Sequence, residues 1–227
     1  MRVGFRADKP ESLEWLRQLL VPLDAREVNQ EEVEFLYSYR GGGRRGRLRD
    51  YHLLYSGARQ VVRTLEESEA RRALHEEVNL LVGVASPNTF CLRGGAVLWR
   101  GRALVILGGA GRGTTRLMQA LVSRGGTLLS DGLLLFDGVS GSLLAHGEHR
   151  PASILLTEYQ PRARYRPLRL QGGEAALKMF AVAPAAAVQP AKLLGALVRL
   201  AATVGVFQTF RPEAARVADR VLNQLYL

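Results

Sequence analysis

The sequence predicts an α/β fold in two parts: a small α+β unit over residues 1–85, followed by an α/β domain over residues 86–227. Three observations predict it. Strand-like and helix-like apolar patterns alternate along the whole chain. The buried-strand pattern ALVIL leads directly into the glycine-rich segment GGAGRGTT and then into a helical pattern. With 227 residues and 47% hydrophobic content, the chain can bury a core without disulfides or a structural metal.

The elements of the first part follow from local periodicity. Residues 10–20 begin with proline and repeat leucines on one helical face, which predicts a short amphipathic helix. Residues 34–39, 51–55 and 60–65 are apolar or alternating and predict strands, whereas residues 66–85 have helical spacing. The arginine-rich segment from Arg40 to Arg49 is then expected to be the loop that connects the first two strands.

The second part begins with a predicted hairpin. Residues 96–99 and 102–107 flank an Arg-Gly turn, and the glycine-rich segment follows them directly. Together with the next helix, this order predicts the start of a βαβ-type unit. The further predicted elements are a helix at 114–123, strands at 127–130, 133–136 and 153–157, and helices at 173–180, 191–203 and 212–226.

The charge balance is strongly basic. The net charge is +10, and only three of the 31 basic residues are lysines, which leaves 31 − 3 = 28 arginines. A basic chain attracts phosphate, so nucleic acid is one candidate partner. The arginines are nevertheless spread along the chain, and only the segment from Arg40 to Arg49 concentrates them. That segment is either an anion-binding arm for RNA, an acidic peptide or a partner protein, or a solvated hairpin loop.

Composition argues against several classes of protein. A single cysteine, Cys91, excludes a disulfide framework and a cysteine-based zinc site. The pair His146 and His149 lacks the helical spacing of zinc proteases, so we expect no structural metal. The longest apolar stretch, residues 193–207, is too short to span a bilayer, and the first ten residues lack the apolar segment of a secretory signal. A cytoplasmic protein without a membrane partner is therefore expected.

The glycine-rich segment matches most of the P-loop template, Gly-x4-Gly-Lys-Ser/Thr after a strand and before a helix. Gly108 and Gly113 occupy the glycine positions and Thr115 the hydroxyl position, but Thr114 stands in place of the lysine. Glycines let backbone N–H groups turn around a phosphate, and the hydroxyl is a ligand for Mg²⁺. A glycine-rich turn without a ligand is the alternative. The predicted cofactor-binding residues are Gly108, Gly109, Ala110, Gly111, Arg112, Gly113, Thr114 and Thr115.

The residues around this loop, LRGGAVLWRGRALVILGGAGRGTTRLMQALVSRGGTLLSDGLLLFD, resemble the C-terminal kinase domain of the HPr serine kinase/phosphorylase family. That family shares its P-loop fold with phosphoenolpyruvate carboxykinase. The family order is His-Gly, a hairpin, a P-loop, Arg-Gly at a helix end, and an Asp-Asp pair. This chain follows the order without gaps and extends the similarity to its last helix. The matching positions are Arg93-Gly94, Gly101, Gly108 to Thr115, Arg124-Gly125 and Ser130-Asp131.

The departures from the family pattern fall on the chemistry. The family's histidine position holds Arg93, its lysine position holds Thr114, and its second aspartate position holds Gly132. The resemblance leaves Asp131 as the candidate catalytic residue, and it leaves Thr115 and Asp131 as candidate Mg²⁺ ligands for bound ATP. Whether Asp131 has the metal role or the base role stays open.

Three functions are compatible with this sequence. The first is a catalytically degenerate HPr kinase-like protein, a pseudokinase that binds nucleotide weakly or not at all and serves as a regulatory or scaffolding subunit. Its partner would be a protein or peptide, or further copies of the chain. The second is an active but atypical ATP-dependent serine or peptide kinase that uses Thr115 and Asp131 for Mg²⁺. The third is a nucleic-acid-binding module, which only the charge supports.

Overall fold

The computed structural model describes residues 1–20, 25–28, 32–45, 48–109, 111–145 and 147–223. Its two compact units are Met1–Val78 and Asn79–Leu227. The described ranges contain six α-helices and three sheets, which confirms the mixed α/β class. The sequence places the domain boundary after residue 85, at the end of helix α2 (Glu67–Ala85), whereas the division into units falls inside that helix.

The first unit contains a four-stranded sheet. Its strands lie in the order β1-β2-β5-β6, with β1 and β2 parallel and the other pairs antiparallel. The strands predicted at 34–39, 51–55 and 60–65 are present within one residue of the expected bounds, whereas β1 was not predicted. The elements of this unit are β1 (Val3–Ala7), α1 (Pro10–Leu20), β2 (Phe35–Arg40), β3 (Gly43–Arg45), β4 (Leu48–Asp50), β5 (His52–Ser56), β6 (Arg59–Thr64) and the start of α2.

Aromatic contacts hold α1 on this sheet. Trp15 of α1 is buried and packs edge-to-face on Tyr39 of β2, with ring centroids 5.5 Å apart. The Tyr39 hydroxyl lies 2.6 Å from Nδ1 of His52 on the neighbouring strand, and burial raises the pKa of Tyr39 to about 12. The partly apolar helix predicted over residues 10–20 therefore buries its apolar side as expected.

The arginine-rich segment is not the simple loop that the sequence predicts. Its described backbone forms a two-stranded ribbon in which β3 and β4 pair antiparallel. Gly42 makes a close approach possible, because a Cβ there would lie 2.5 Å from the carbonyl oxygen of Asp50. Arg40, at the end of β2, forms an ion pair with Asp50 at 3.0 Å. Arg47 lies outside the described residues, and a partner for this segment stays a prediction.

The second unit is built on an eight-stranded sheet with the order β11-β10-β9-β7-β8-β12-β14-β13. Strands β8, β12 and β14 are parallel neighbours, so their carboxyl ends meet at one edge of the sheet. The strands are β7 (Thr89–Trp99), β8 (Arg102–Leu107), β9 (Thr127–Asp137), β10 (Leu143–Leu144), β11 (Glu148–His149), β12 (Pro151–Tyr159), β13 (Leu168–Arg169) and β14 (Gly205–Arg211).

Helices cover both faces of this sheet. On one face, α3 (Thr114–Val122) and α6 (Ala214–Asn223) form a buried cluster with Ile106 and Leu155. On the other face, α4 (Gly172–Phe180) and α5 (Pro190–Thr203) pack with the rest of the apolar core, beside a short 3₁₀ helix at Pro184–Ala187. The predicted helices are therefore present, although residues 224–226 of the last one lie outside the described residues. None of the helices in the described part is long and apolar enough to cross a membrane.

One predicted break in the sheet is absent. The sequence predicts separate strands at 127–130 and 133–136, but β9 continues through Asp131 and Gly132. Gly132 pairs with Gly94 of β7, and its φ of 117° is a conformation that favours glycine. The pairing on β7 therefore keeps the chain extended at a point where local composition favours a turn.

The connection from β8 through α3 to β9 matches the predicted βαβ-type unit with one strand inserted. β7 is antiparallel to both β8 and β9, so β8 and β9 run in the same direction on either side of it. β7 and β8 approach closely at Gly94, where a Cβ would overlap the carbonyl oxygen of Ile106. This close approach lies two residues before Gly108, so it positions the start of the glycine-rich loop.

Because the space at Gly94 is already filled by backbone, we expect Gly94→Ala to lower the free energy of unfolding by about 1–3 kcal/mol. The matched control is Gly173→Ala in α4, where nothing lies within 4 Å of the added Cβ. The control should be neutral or stabilising by up to about 1 kcal/mol, because alanine is the better helix former. Urea unfolding of the two variants measures both effects, and equal stability would contradict the close approach.

Candidate functional site

The glycine-rich loop joins β8 to α3 at the edge where the parallel strands end. Gly111 and Gly113 have φ values of 75° and 83°, so the described part of the loop needs glycine at both positions. The N–H of Gly108 donates to the carbonyl oxygen of Arg93 at 3.3 Å, and the N–H of Tyr159 donates to that of Arg112 at 3.2 Å. The loop is thus attached to β7 on one side and to β12 on the other. Ala110 lies outside the described residues.

Thr114, at the lysine position of the template, turns its hydroxyl into the loop. Its Oγ1 lies 2.8 Å from the position that a Cβ on Gly108 would take, and the carbonyl oxygen of Thr157 lies 3.0 Å from the same position. Gly108 is therefore required by close approach. The Thr114 oxygen is buried and has no hydrogen-bond partner. The loop therefore has a neutral hydroxyl at the position where the template has the positively charged side chain of a lysine.

Arg211, at the end of β14, is the principal residue of the site that the sequence analysis missed. Its side chain is only 1% exposed. Nη2 donates to the carbonyl oxygen of Gly113 at 2.6 Å, and Nη1 donates to that of Pro212 at 3.0 Å. Gly113 and Arg211 are 98 residues apart in sequence, so no local pattern relates them. A buried arginine thus holds Gly113, which occupies the second glycine position of the template.

Burial also sets the electrostatics around Arg211. Desolvation lowers the pKa of its guanidinium, while Glu213 and Tyr159 act in the opposite direction. Tyr159 donates its hydroxyl hydrogen to Glu213 Oε1 at 2.8 Å, which raises the pKa of Tyr159. The Arg211 guanidinium also lies 5.9 Å from the centre of the Tyr159 ring. A positive charge is therefore fixed beside the start of α3.

Arg112, the other arginine at the loop, has a partner as well. It forms an ion pair with Glu158 of β12, and its Nε lies 3.1 Å from the Cβ position of Gly109. Its side chain is about half exposed, so the pair contributes little to stability. In this arrangement the Arg112 charge is paired with Glu158.

The structure places two other predicted residues, Arg93 and Asp131, on the paired strands β7 and β9. On the ladder between β7 and β9, Arg93 pairs with Leu133, and Gly95 pairs with Asp131. Oδ1 of Asp131 lies 3.4 Å from the Cβ position of Gly95, next to Met118 of α3. Side chains two residues apart on a strand point to the same face of the sheet. Arg93 is two residues from Gly95, so its side chain lies, like that of Asp131, on the face of the sheet that α3 covers. The carbonyl of Arg93 also contacts the first loop residue, Gly108.

Gly132 restricts which residue can follow Asp131 in β9. It stands at the position of the family's second aspartate, and its φ of 117° would strain any residue with a side chain. The other candidate metal ligand, Thr115, is exposed on the first turn of α3. Within the described ranges, no group of three or more His, Cys, Asp or Glu residues could hold a metal ion. Thr114 supplies no positive charge at the lysine position of the template.

Comparison with known proteins gives a distant structural similarity. The chain is similar to the HPr(Ser) kinase/phosphatase from Coxiella burnetii, with a TM-score of 0.33 and 12% identity, over 59% of this chain and 94% of that one. No family model matches the chain, and no curated protein matches it. A function must therefore be sought in the geometry of the site itself.

We expect Arg211→Ala to lower the free energy of unfolding by about 2–4 kcal/mol, because it removes buried volume and two charge-assisted hydrogen bonds. Arg112→Ala is the matched control, since it removes the other arginine at the loop but only an exposed ion pair. The control should cost less than about 1 kcal/mol. Chemical denaturation followed by circular dichroism separates the two results. Equal losses would show that Arg211 does not hold the loop.

Proposed function

We propose that this chain is a catalytically degenerate P-loop protein of the HPr serine kinase type, a cytoplasmic pseudokinase whose role is to bind a protein or peptide partner. It would act as a regulatory or scaffolding subunit, and its loop would bind phosphate or nucleotide weakly. The observation that carries the proposal is Thr114: a neutral hydroxyl faces Gly108 where a P-loop places its lysine. The neighbouring Arg112 and Arg211 are held by Glu158 and by the carbonyl of Gly113.

The expected rates support inactivity. Loss of a preorganised cation costs about 10²–10³ in rate, and loss of a general base costs about 10²–10⁴. Taken together these losses amount to about 10⁴–10⁷, although such effects are not strictly additive. Starting from a typical kinase turnover of about 1–100 per second, the remainder is about 10⁻⁷–10⁻² per second. Such a rate is too slow for signalling by phosphorylation.

Weak anion binding is supported by a different set of groups. Three buried polar atoms beside the loop have no hydrogen-bond partner: Thr114 Oγ1, Thr157 Oγ1 and Arg211 Nε. An unsatisfied buried donor costs about 1–3 kcal/mol, and a phosphate oxygen that accepted from it would recover part of that cost. The α3 N-terminus adds its partial positive charge. These groups favour an anion in the loop but lack the lysine that follows the β- and γ-phosphates.

We expect the purified protein to show no ATP turnover above background. The measurement is release of phosphate from ATP with Mg²⁺, with Asp131→Ala as the control that separates intrinsic from contaminating activity. A wild-type turnover of about one per second that Asp131→Ala abolishes would contradict the proposal. It would favour instead an active kinase in which Thr115 and Asp131 hold Mg²⁺.

A second prediction concerns affinity for nucleotide. Because a charge-assisted hydrogen bond is worth about 1.5–3 kcal/mol, Thr114→Lys should strengthen ATP–Mg²⁺ binding by about 10–150-fold. Thr115→Lys is the matched control, since it adds the same charge one residue further along the helix. Calorimetry should find weak or undetectable binding to the wild-type protein. Low-micromolar wild-type affinity, or equal gains in both variants, would show that another cation already replaces the lysine.

A further inference from the structure

We propose that a groove beside strand β14 of the second unit binds an acidic segment of a protein partner that also carries large apolar side chains. The proposal rests on the proposed function, because it identifies a surface for the partner. The groove has a volume of about 490 Å³, within the range of ligand-binding clefts. The lining residues that matter most are Arg164, Arg166, Leu168, Leu170, Gln208 and Phe210.

Apolar side chains are exposed together in this groove. Leu168 is 71% exposed and Phe210 is 51% exposed, although both are large apolar residues. The register pairs Leu168 with Gln208, two residues before Phe210, so both apolar side chains lie on the same face of the sheet. Single exposed apolar residues are ordinary, but neighbouring ones in a concave surface are typical of a site that binds another molecule.

The charge of the groove favours an acidic occupant. Arg164 and Arg166 are exposed in its lining, and Glu174 is the acidic residue among the lining positions. Arg162 and Arg169 are exposed on the same segment of the chain. Positive potential that is not balanced within the groove attracts a complementary negative partner and increases the rate of association. In a partner segment, carboxylates on either side of an apolar side chain would form ion pairs with Arg164 and Arg166.

The wall of the groove is held in place before any partner binds. The segment that contains Arg164 and Arg166 runs along β14, where the N–H of Arg166 donates to Thr209 Oγ1 at 3.1 Å. The N–H of Leu170 donates to the carbonyl oxygen of Val206 at 2.9 Å. Tyr165, between the two arginines, is buried, and its carbonyl oxygen accepts from Arg220 at 3.2 Å. A fixed wall reduces the entropy lost on binding.

Side chains rather than added strand pairing would hold the occupant. β13 lies at the end of the sheet but has only two residues, and Pro167 directly precedes it. Proline and a charged residue on a short edge strand disfavour pairing with a further strand. An RNA partner is less well suited, since the groove offers one exposed aromatic ring for stacking, Phe210, beside aliphatic leucines.

The test uses the full-length protein and a fluorescein-labelled peptide that repeats Glu-Leu-Asp-Phe. Fluorescence anisotropy should detect binding that weakens as salt rises. A peptide with Gln and Asn in place of the acids, and one with Ser in place of Leu and Phe, should each bind more weakly. Arg164→Gln with Arg166→Gln should weaken binding by about 5–30-fold, since it removes two exposed ion pairs. Leu168→Ser should also weaken it.

The matched control is Arg72→Gln with Arg216→Gln, which removes the same charge at exposed positions outside the groove and should change binding by less than about twofold. Equal losses in both double variants, equal binding of the uncharged peptide, no binding of the acidic peptide, or tighter binding of labelled oligouridine would overturn the proposal. ATP turnover of the same samples separates the two claims. If the protein turns over ATP and also binds the peptide, the proposal of an inactive site is contradicted and the groove is not. If it neither turns over ATP nor binds the peptide, the groove is contradicted and the inactive site is not.

Discussion

Burial of the Arg211 guanidinium is the interaction on which the candidate site depends. A buried cation is costly unless its donors are satisfied, and here two backbone carbonyls, those of Gly113 and Pro212, accept from it. Gly113 can approach so closely only because it has no side chain, since a Cβ there would lie 2.7 Å from Nη2. The hydrogen bond from Arg211 therefore requires glycine at position 113. Arg211 of β14 thus holds the loop from the side of the sheet.

Gly132, one of the departures from the kinase pattern, lies in a restricted strand pairing. Gly132 adopts a conformation with φ of 117° opposite Gly94, and Gly94 in turn is restricted by the backbone of β8. An aspartate at position 132 would be strained, because a φ of 117° is unfavourable for a residue with a side chain. The backbone therefore restricts replacement of both Gly132 and Gly94, whereas Thr114 lies at the start of α3, outside this strand pairing.

Strong local periodicity explains which parts of the fold could be predicted. α1, α2, α3 and α5 show apolar residues at helical spacing, and β7 and β8 flank a recognisable Arg-Gly turn. The loop glycines followed from the spacing of the P-loop template, whereas Arg93 and Asp131 were singled out only by the resemblance to the HPr serine kinase family. The β3–β4 ribbon, the two-residue strands and the continuity of β9 depend on pairing with distant segments, which local composition does not encode. The contact between Arg211 and Gly113 joins residues 98 apart and left no local signal.

Strand β14 of the eight-stranded sheet contributes to the groove with one face and to the glycine-rich loop with the other. Successive side chains of a strand point to opposite faces, so Phe210 and Arg211 serve different surfaces although they are adjacent. Phe210 lines the groove on the side of α4, whereas Arg211 reaches the loop at the start of α3. A molecule in the groove would thus contact β14 without entering the loop. A change in the loop on one face of the sheet would therefore leave the groove on the other face intact.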